Sequence, residues 1–426
     1  MMRHILQFII TLVLVILIGV SGLFLFSEQS RIQAGEGPVR LIAEPIPEEE
    51  LAAAQEEEAA PEPEEPEPDP LPEGIVPVDG TYSGPVTGAG GNFLVADDDD
   101  TVTFSFAGDI LFDEYYAAGA AARQRGGAAA CFGSSLLEVL RGSDVFIVNN
   151  EFPYTDRGTP TPGKTYTFRA HPQNADWLKD LGADLVTLAN NHTYDFGEIC
   201  LLDTLQTLQE RGIPYLGAGA QLAEASSTAF FYLDSSAPEQ ERAVMTVAVL
   251  NATRIEQDGT PDTKAATETT PGVFRCYDSA LLCQRIREAK EIADFVIVTL
   301  HWGTEKTTQL DWGQEQLGPE VAAAGADLIV GAHPHILQRL DYIGDMPVMY
   351  SLGNFYFTSF TVDTGVLQAE FEPSTKTLKT LRFVPCLQAN TSVNLLEGAE
   401  KQRVLEEMRA MSPNVVIDEE GVVTRR

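Results

Sequence analysis

The stretch LVTLANNHTYDFGE, residues 185–198, opens as an apolar strand and closes in groups that bind protons and metals. Leu185 to Leu188 read as a short buried strand, and Asn190, Asn191, His192, Tyr194 and Asp195 follow at once. Alone, such a stretch reads as a turn with a helix cap, because Asn and Asp side chains accept hydrogen bonds from nearby backbone. The same change of character recurs along the chain. TVTFSFAGD ends at Asp109, SDVFIVNNEFP carries Glu151, and ADFVIVTLHWGTE carries His301. GADLIVGAHPH ends in His333 and His335, and MPVMYSLGNF reaches Asn354, whereas RAVMTVAVLNA is a strand without a reactive tip. Helical patterns at Asn174–Leu181, Glu198–Arg211, Ser279–Ala293 and Trp312–Ala324 lie between them. Strands alternating with helices of this length predict an α/β domain. In such sheets ligands gather beyond the carboxyl ends of the strands.

A lone Asp or Glu after a strand is ordinarily a cap, and a lone His there a satisfied polar group. Distribution argues otherwise. The chain has six histidines, and His192, His301, His333 and His335 all fall at strand tips. His4 flanks an apolar N-terminal run, and His171, in FRAHPQ, reads as structural. Together with Asp109, Glu151 and the amide oxygen of Asn191, His301, His333 and His335 make a mixed nitrogen–oxygen donor set without sulfur. Such sets suit divalent Mn, Fe, Zn or Co better than Ca or Mg. These donors exceed the needs of one tetrahedral ion, and a carboxylate can bridge two, so one or two ions are expected. Paired ions clamp the attacking and leaving oxygens of a phosphoryl displacement. His192, adjacent to a ligand, is placed to protonate a leaving group or to steady an anion. Asp195 either orients His192 or caps the helix beginning near Glu198.

The motifs FAGDI, NNEFP, LANNHTYDFG, HWGTE, GAHPHILQ and YSLGNF, in this order over about residues 101–392, resemble those of the CapA family, named for poly-γ-glutamate capsule synthesis. That family resembles the calcineurin-like metallophosphoesterases. The resemblance implies a four-layer α/β/β/α sandwich, two sheets face to face with helices outside. By motif it makes Asp109 the first-strand metal ligand, Glu151 the bridging carboxylate and Asn191 a ligand. His301, His333 and His335 become the remaining ligands, and His192 the catalytic acid. One departure stands out: the wider superfamily opens on Asp-x-His, and here Asp109-Ile110-Leu111 lacks the histidine. Asp113 and Glu305 are candidates to fill the lost position.

The flanks set the domain plan. Residues 1–27 are almost wholly apolar from Ile5 to Phe26 behind Arg3 and His4. This is long enough for a single transmembrane helix across a hydrocarbon layer of about 30 Å, with the short N-terminus cytoplasmic. A cleaved signal peptide fits less well, because no small-x-small site follows. Residues 28–100 read as a disordered acidic, Pro-rich stalk and linker. Glu44 to Glu73 alone holds 13 acids and 8 prolines with no Lys or Arg. Residues 101–395 are then an extracytoplasmic domain, single-pass at the cell membrane, and 396–426 a helix (Gly398–Met411) with a polar tail. Net charge is −35, and from residue 101 onward 25 Lys and Arg still face 43 Asp and Glu. That excludes nucleic acid as the expected partner. A polyanion would need a local grip, for which Arg123, Arg125, Arg169 and Lys306 are candidates. The five cysteines are scattered, contain no CxxC, and read mainly as buried free thiols.

Two function classes follow. One is a metal-dependent hydrolase outside the membrane, acting on a phosphoester or an amide of a cell-surface polymer. The other is a non-enzymatic accessory of poly-γ-glutamate synthesis or export, working with polyglutamate synthase subunits and using its metal site to bind polymer or to stabilise the fold. A purely structural adhesin-like domain leaves the histidine clustering unexplained.

Overall fold

The computed structural model describes residues 76–78, 89–96, 100–234, 244–255 and 263–426. The expected membrane anchor, 1–27, and most of the expected stalk lie outside the described residues. Among the described residues no helix is long and apolar enough to cross a membrane.

Two sheets carry the fold. The first runs Val76–Pro77, Gly91–Ala96, Ala229–Asp234, Val244–Arg254, Phe295–Trp302, Leu328–Ala332, Met346–Met349, Leu340–Ile343. The second runs Ser392–Leu395, Thr377–Ala389, Val362–Glu372, Val102–Ile110, Val145–Asn150, Leu185–Thr187, Tyr215–Leu216. Asn354–Tyr356 pairs with Val102–Ile110 off that path. In each sheet the central strands are parallel. Their carboxyl ends therefore share one edge, which is where the polar tips read in the sequence must emerge.

Period-2 burial makes the layers. Phe104, Phe106, Val145 and Ile147 pack into one apolar cluster with Phe231, Val247, Val249 and Ile297 of the other sheet. Phe104 meets Phe231 edge-on across the interface at 5.2 Å. The alternate residues Phe146, Val148 and Val186 face outward onto Leu136, Leu178, Leu201 and Leu205, from the helices Ser134–Arg141, Asp176–Leu181 and Glu198–Glu210. On the first sheet Ala248, Leu250, Val296 and Val298 face Leu282, Ile286, Leu317 and Val321, from Ala280–Lys290 and Trp312–Ala324. Successive strand residues point to opposite faces, and both faces here are covered. This explains why these strands read as continuous apolar runs.

Two flanking assignments need correction. Residues 28–100 were expected to be stalk and linker throughout, yet Val76–Pro77 and Gly91–Ala96 are strands, paired in parallel with each other and the second in parallel with Ala229–Asp234. Phe93 and Val95 are buried between the sheets. The alternation Phe93, Val95 is a half-buried strand pattern that neighbouring Gly and Asp residues obscure. Residues 396–426 were expected to stand apart as helix and tail. Gly398–Met411 is indeed helical, but Val404, Leu405 and Met408 join the core between the sheets. The residues beyond it form the hairpin Val415–Ile417 with Val423–Arg425. All five cysteines are free and buried.

Candidate metal centre

The opening stretch divides its labour between its two asparagines. Asn190 Oδ1 accepts from the backbone N–H of His192 (3.0 Å) and of Thr193 (3.1 Å) and from Thr193 Oγ1 (2.9 Å). It is the turn-former of the plain reading. Asn191 is thereby turned inward, its Oδ1 lying 2.9 Å from His301 Nε2.

Around that contact the predicted donors fall into two groups. His301 Nε2 is 3.2 Å from His333 Nδ1 and 3.3 Å from Glu151 Oε1. On the other side His335 Nδ1 is 3.1 Å from Asp109 Oδ2 and 4.0 Å from Glu151 Oε2. Glu151, His301 and His333 thus form one convergent set, and Asp109, Glu151 and His335 a second, with Glu151 in both. The structure brings all six sequence-selected donors together. His333 and His335 flank Pro334 with positive φ, 99° and 60°. That conformation is uncommon outside glycine and costs of order 1–3 kcal/mol each; the surrounding packing has to hold it.

Electrostatics single out Glu151. Both its carboxylate oxygens are buried without a hydrogen-bond partner, and His301 approaches outside hydrogen-bonding geometry. Burial, then the nearby Asp109 charge, pushes its carboxyl well above the ordinary range. Burial would raise Asp109 too, but the hydrogen bond and charge of His335 outweigh it and hold Asp109 low. Burial lowers His301 to about 3, and lowers His333 well below the usual imidazole value. A buried carboxyl without a hydrogen-bond partner, beside two imidazoles that burial keeps neutral, is an arrangement that divalent cations resolve. The residues present therefore fit the metal that the motifs imply.

His192 stands beside this set. Its Nδ1 is 2.7 Å from Asp195 Oδ2, and Phe168 lies against its ring, tilted by 35° with centroids 4.2 Å apart. Asp195 does not cap the following helix, whose flanking Gly197 makes no side-chain cap. Instead Asp195 Oδ2 also accepts from Phe168 N (2.7 Å), and its Oδ1 from Lys164 Nζ (2.6 Å). Burial lowers the imidazole pKa of His192 more than Asp195 raises it.

Sequence reasoning missed several neighbours. Lys164 is nearly buried and donates to the backbone oxygen of Asn191 as well as to Asp195. Asn149 Nδ2 donates to Asp109 Oδ1 at 2.8 Å. Asn149 was visible as a polar residue at a strand end, but Lys164 comes from a Gly- and Pro-rich loop with no periodicity to read. Of the candidates for the lost first-motif position, Asp113 is engaged elsewhere: its carboxylate accepts from the N–H groups of Tyr115 and Arg169. Glu305 is exposed, and Leu111 itself is fully buried in the apolar core. Arg123 pairs with Glu114, Arg125 bonds Thr391 and Ser392, and Arg169 lies over the Phe196 ring. His171 pairs with Asp156 at the surface, as a structural histidine would.

Residues 103–359 match the family described as bacterial capsule synthesis protein PGA_cap. The chain belongs to this family. Among its relatives, the PGA biosynthesis protein CapA of Bacillus subtilis is 32% identical over 61% of this chain and 64% of that protein. The capsule biosynthesis protein CapA of Bacillus anthracis is 29% identical over 62% of this chain and 61% of that one. The match therefore spans less than two thirds of either relative. A solved phosphatase structure from Mycoplasma pneumoniae superposes with a TM-score of 0.40 at 13% identity, over 68% of this chain and 95% of that one.

Proposed function

We propose that this family member is a metal-dependent hydrolase acting on a phosphoester or amide bond of a cell-surface polymer, in poly-γ-glutamate capsule synthesis or export. The observation that carries the reading is Glu151, whose two unpaired, buried carboxylate oxygens each face a separate donor group. Glu151, Asn191, His301 and His333 would hold one ion; Asp109, Glu151 and His335 would share in holding another. Bound there, divalent transition ions supply Lewis-acid stabilisation of developing negative charge.

The chain's own residues supply the rest. Asp195 accepts from His192 Nδ1, which fixes the tautomer and leaves Nε2 to exchange a proton with substrate. Phe168 over the imidazole and the buried Lys164 keep that pair fixed and largely dry. In this proposal residues 1–27 anchor the chain in the cell membrane and the part of the acidic stretch that precedes the strand Val76–Pro77 holds the domain outside, next to polyglutamate synthase subunits. The Bacillus relatives' names support the capsule setting.

A second reading, a non-enzymatic accessory with a degenerate centre, draws on one observation: an apolar Leu111 where the superfamily's first motif has histidine. One pair of measurements separates the two. Elemental analysis of the purified chain should find transition metal, and His333→Ala should lose it; a metal-free wild type under replete conditions would sink the whole centre. Phosphodiester and γ-glutamyl hydrolysis should then fall about 10²–10⁴-fold in His192→Ala. No hydrolysis by a metal-loaded wild type would leave the accessory reading, and equal rates in both proteins would remove His192 from catalysis.

A further inference from the structure

The two donor groups are unequal as the motifs present them. Glu151, Asn191, His301 and His333 make a full quartet, whereas Asp109, Glu151 and His335 make three. The missing fourth is the histidine that Leu111 replaces. We infer that the carboxamide oxygen of Asn354 completes the second group as a metal ligand. The inference rests on the metal-centre reading above and adds to it a ligand no motif of the wider superfamily supplies.

Two independent observations point there. Asn354 Oδ1 lies 2.9 Å from His335 Nδ1, the same atom that is 3.1 Å from Asp109 Oδ2 and 4.0 Å from Glu151 Oε2. Ligand atoms about 2.1 Å from one ion stand roughly 3.0 Å apart when adjacent and about 4.2 Å apart when opposite, from the metal–ligand lengths alone. The three spacings match one shared centre. They also match those of the other quartet, 2.9, 3.2 and 3.3 Å about His301 Nε2.

The backbone is built to bring Asn354 to this point. Asn354 is the direct partner of Asp109 in a parallel pairing, and Asp109 N–H donates to Gly353 O at 3.0 Å. That approach needs glycine on both sides. A Cβ on Gly108 would fall 1.9 Å from Gly353 O, and Gly353 itself has φ +68°. Each glycine immediately precedes a donor, so the tight crossing delivers two oxygens side by side. Asn354 is 7% exposed, and Asp109 is fully buried. With Asn191 in one group and Asn354 in the other, each holds one amide oxygen, but the second offers a single imidazole where the first offers two; for a borderline ion such as Co(II) the second should be the more loosely held.

The test uses the full chain, loaded with Mn(II) or Co(II) and read by metal stoichiometry, titration calorimetry and absorption. Wild type should bind two ions. Asn354→Leu should keep the first and weaken the second by more than about tenfold, the scale at which even indirect partners of a ligand act. Asn354→Cys supplies the decisive readout. A thiolate that directly ligates Co(II) produces a sulfur-to-cobalt charge-transfer band, absent in wild type, whose five cysteines are buried and free. That band, titrating with the second equivalent, establishes the ligand. Two ions bound by Asn354→Leu with wild-type affinity, or no band in a folded Asn354→Cys protein carrying two ions, overturns it while leaving the centre intact. A wild type with a single ion also overturns the inference. A wild type with none overturns the centre itself. Circular dichroism melts establish that each variant is folded.

Discussion

Glu151 is the residue at which the chain's stability and its chemistry conflict. Its carboxyl is raised well above 4.5 by burial and then by Asp109. A raised folded pKa means its contribution to stability is complete below the unfolded value and is lost as pH rises through the folded one. In chelator-stripped protein, Glu151→Gln should therefore unfold at higher urea than wild type at pH 7.5, by about 1–3 kcal/mol. The advantage should shrink toward pH 4.5. A stripped wild type at least as stable as the variant across that range would show that the carboxylate is already compensated. Lys164 poses the converse case. Its ammonium is paired at 2.6 Å with Asp195, whose side chain is fully buried. Lys164→Met should cost roughly 3–5 kcal/mol, the penalty for breaking a buried pair, measurable as a lowered midpoint of denaturation. A shift under about 1 kcal/mol would mean the pair behaves as a surface one. The six candidate donors were legible because they sit at the ends of apolar runs, where a polar residue needs a reason. Lys164 was not legible, since its place depends on how a loop between Phe152 and Phe168 folds back over Asp195.

At the scale of the strand a repeated device escaped the sequence reading. Asp144, Asp184, Asp294 and Asp327 each stand at the start of a parallel strand, in SDVF, ADLV, ADFV and ADLI. Each carboxylate accepts from one backbone N–H of the adjacent strand: Thr103, Phe146, Thr246 and Val296, at 2.7–2.8 Å. The same aspartates donate their own N–H to the carbonyl of that same residue. Each two-bond ring closes the amino edge of a sheet whose ladder would otherwise leave donors unpaired. In the sequence these aspartates showed nothing of their cross-strand partners, because pairing order is a property of the sheet. Asp184 offers the test, as burial raises its carboxyl to about 7. Asp184→Ala should destabilise by about 1–2 kcal/mol through the orphaned Phe146 N–H, whereas Asp184→Asn keeps an acceptor and should lose less. Because the folded pKa is raised, the wild-type margin over Asp184→Asn should be largest below pH 3.8 and decline as pH rises through about 7. Equal unfolding midpoints for the Ala and Asn variants would show that the N–H does not depend on this acceptor.

Over the whole molecule, the alternation of strands and helices predicted an α/β domain and the family resemblance implied its two sheets, but the chain's ends did not announce their share in the core. Gly91–Ala96 is short and sits among Gly and Asp residues. The C-terminal segment is polar in composition, and its apolar positions make sense only against the cleft it fills. Val404, Leu405, Met408, Val415, Ile417 and Val423 all enter the cluster between the sheets. Ser412 Oγ accepts from Leu340 N at 2.9 Å, Phe383 N donates to Gly421 O at 2.8 Å, and Arg403 pairs with Asp363 at 2.7 Å. Burying such side chains contributes about 1.5–3 kcal/mol each, an upper estimate because unfolded chains already bury some of that surface. Even halved, their sum rivals the 5–15 kcal/mol or so by which whole domains are stable. A chain ending at residue 395, a boundary the motifs alone suggest, should therefore show no cooperative thermal transition. It should also fail to retain metal, because Leu340 and Asp363 lie on strands of the two sheets whose alignment brings His333 and His335 to Asp109. A truncated chain that melts cooperatively within a few degrees of the full one, and binds the same metal, would make the segment an appendage after all.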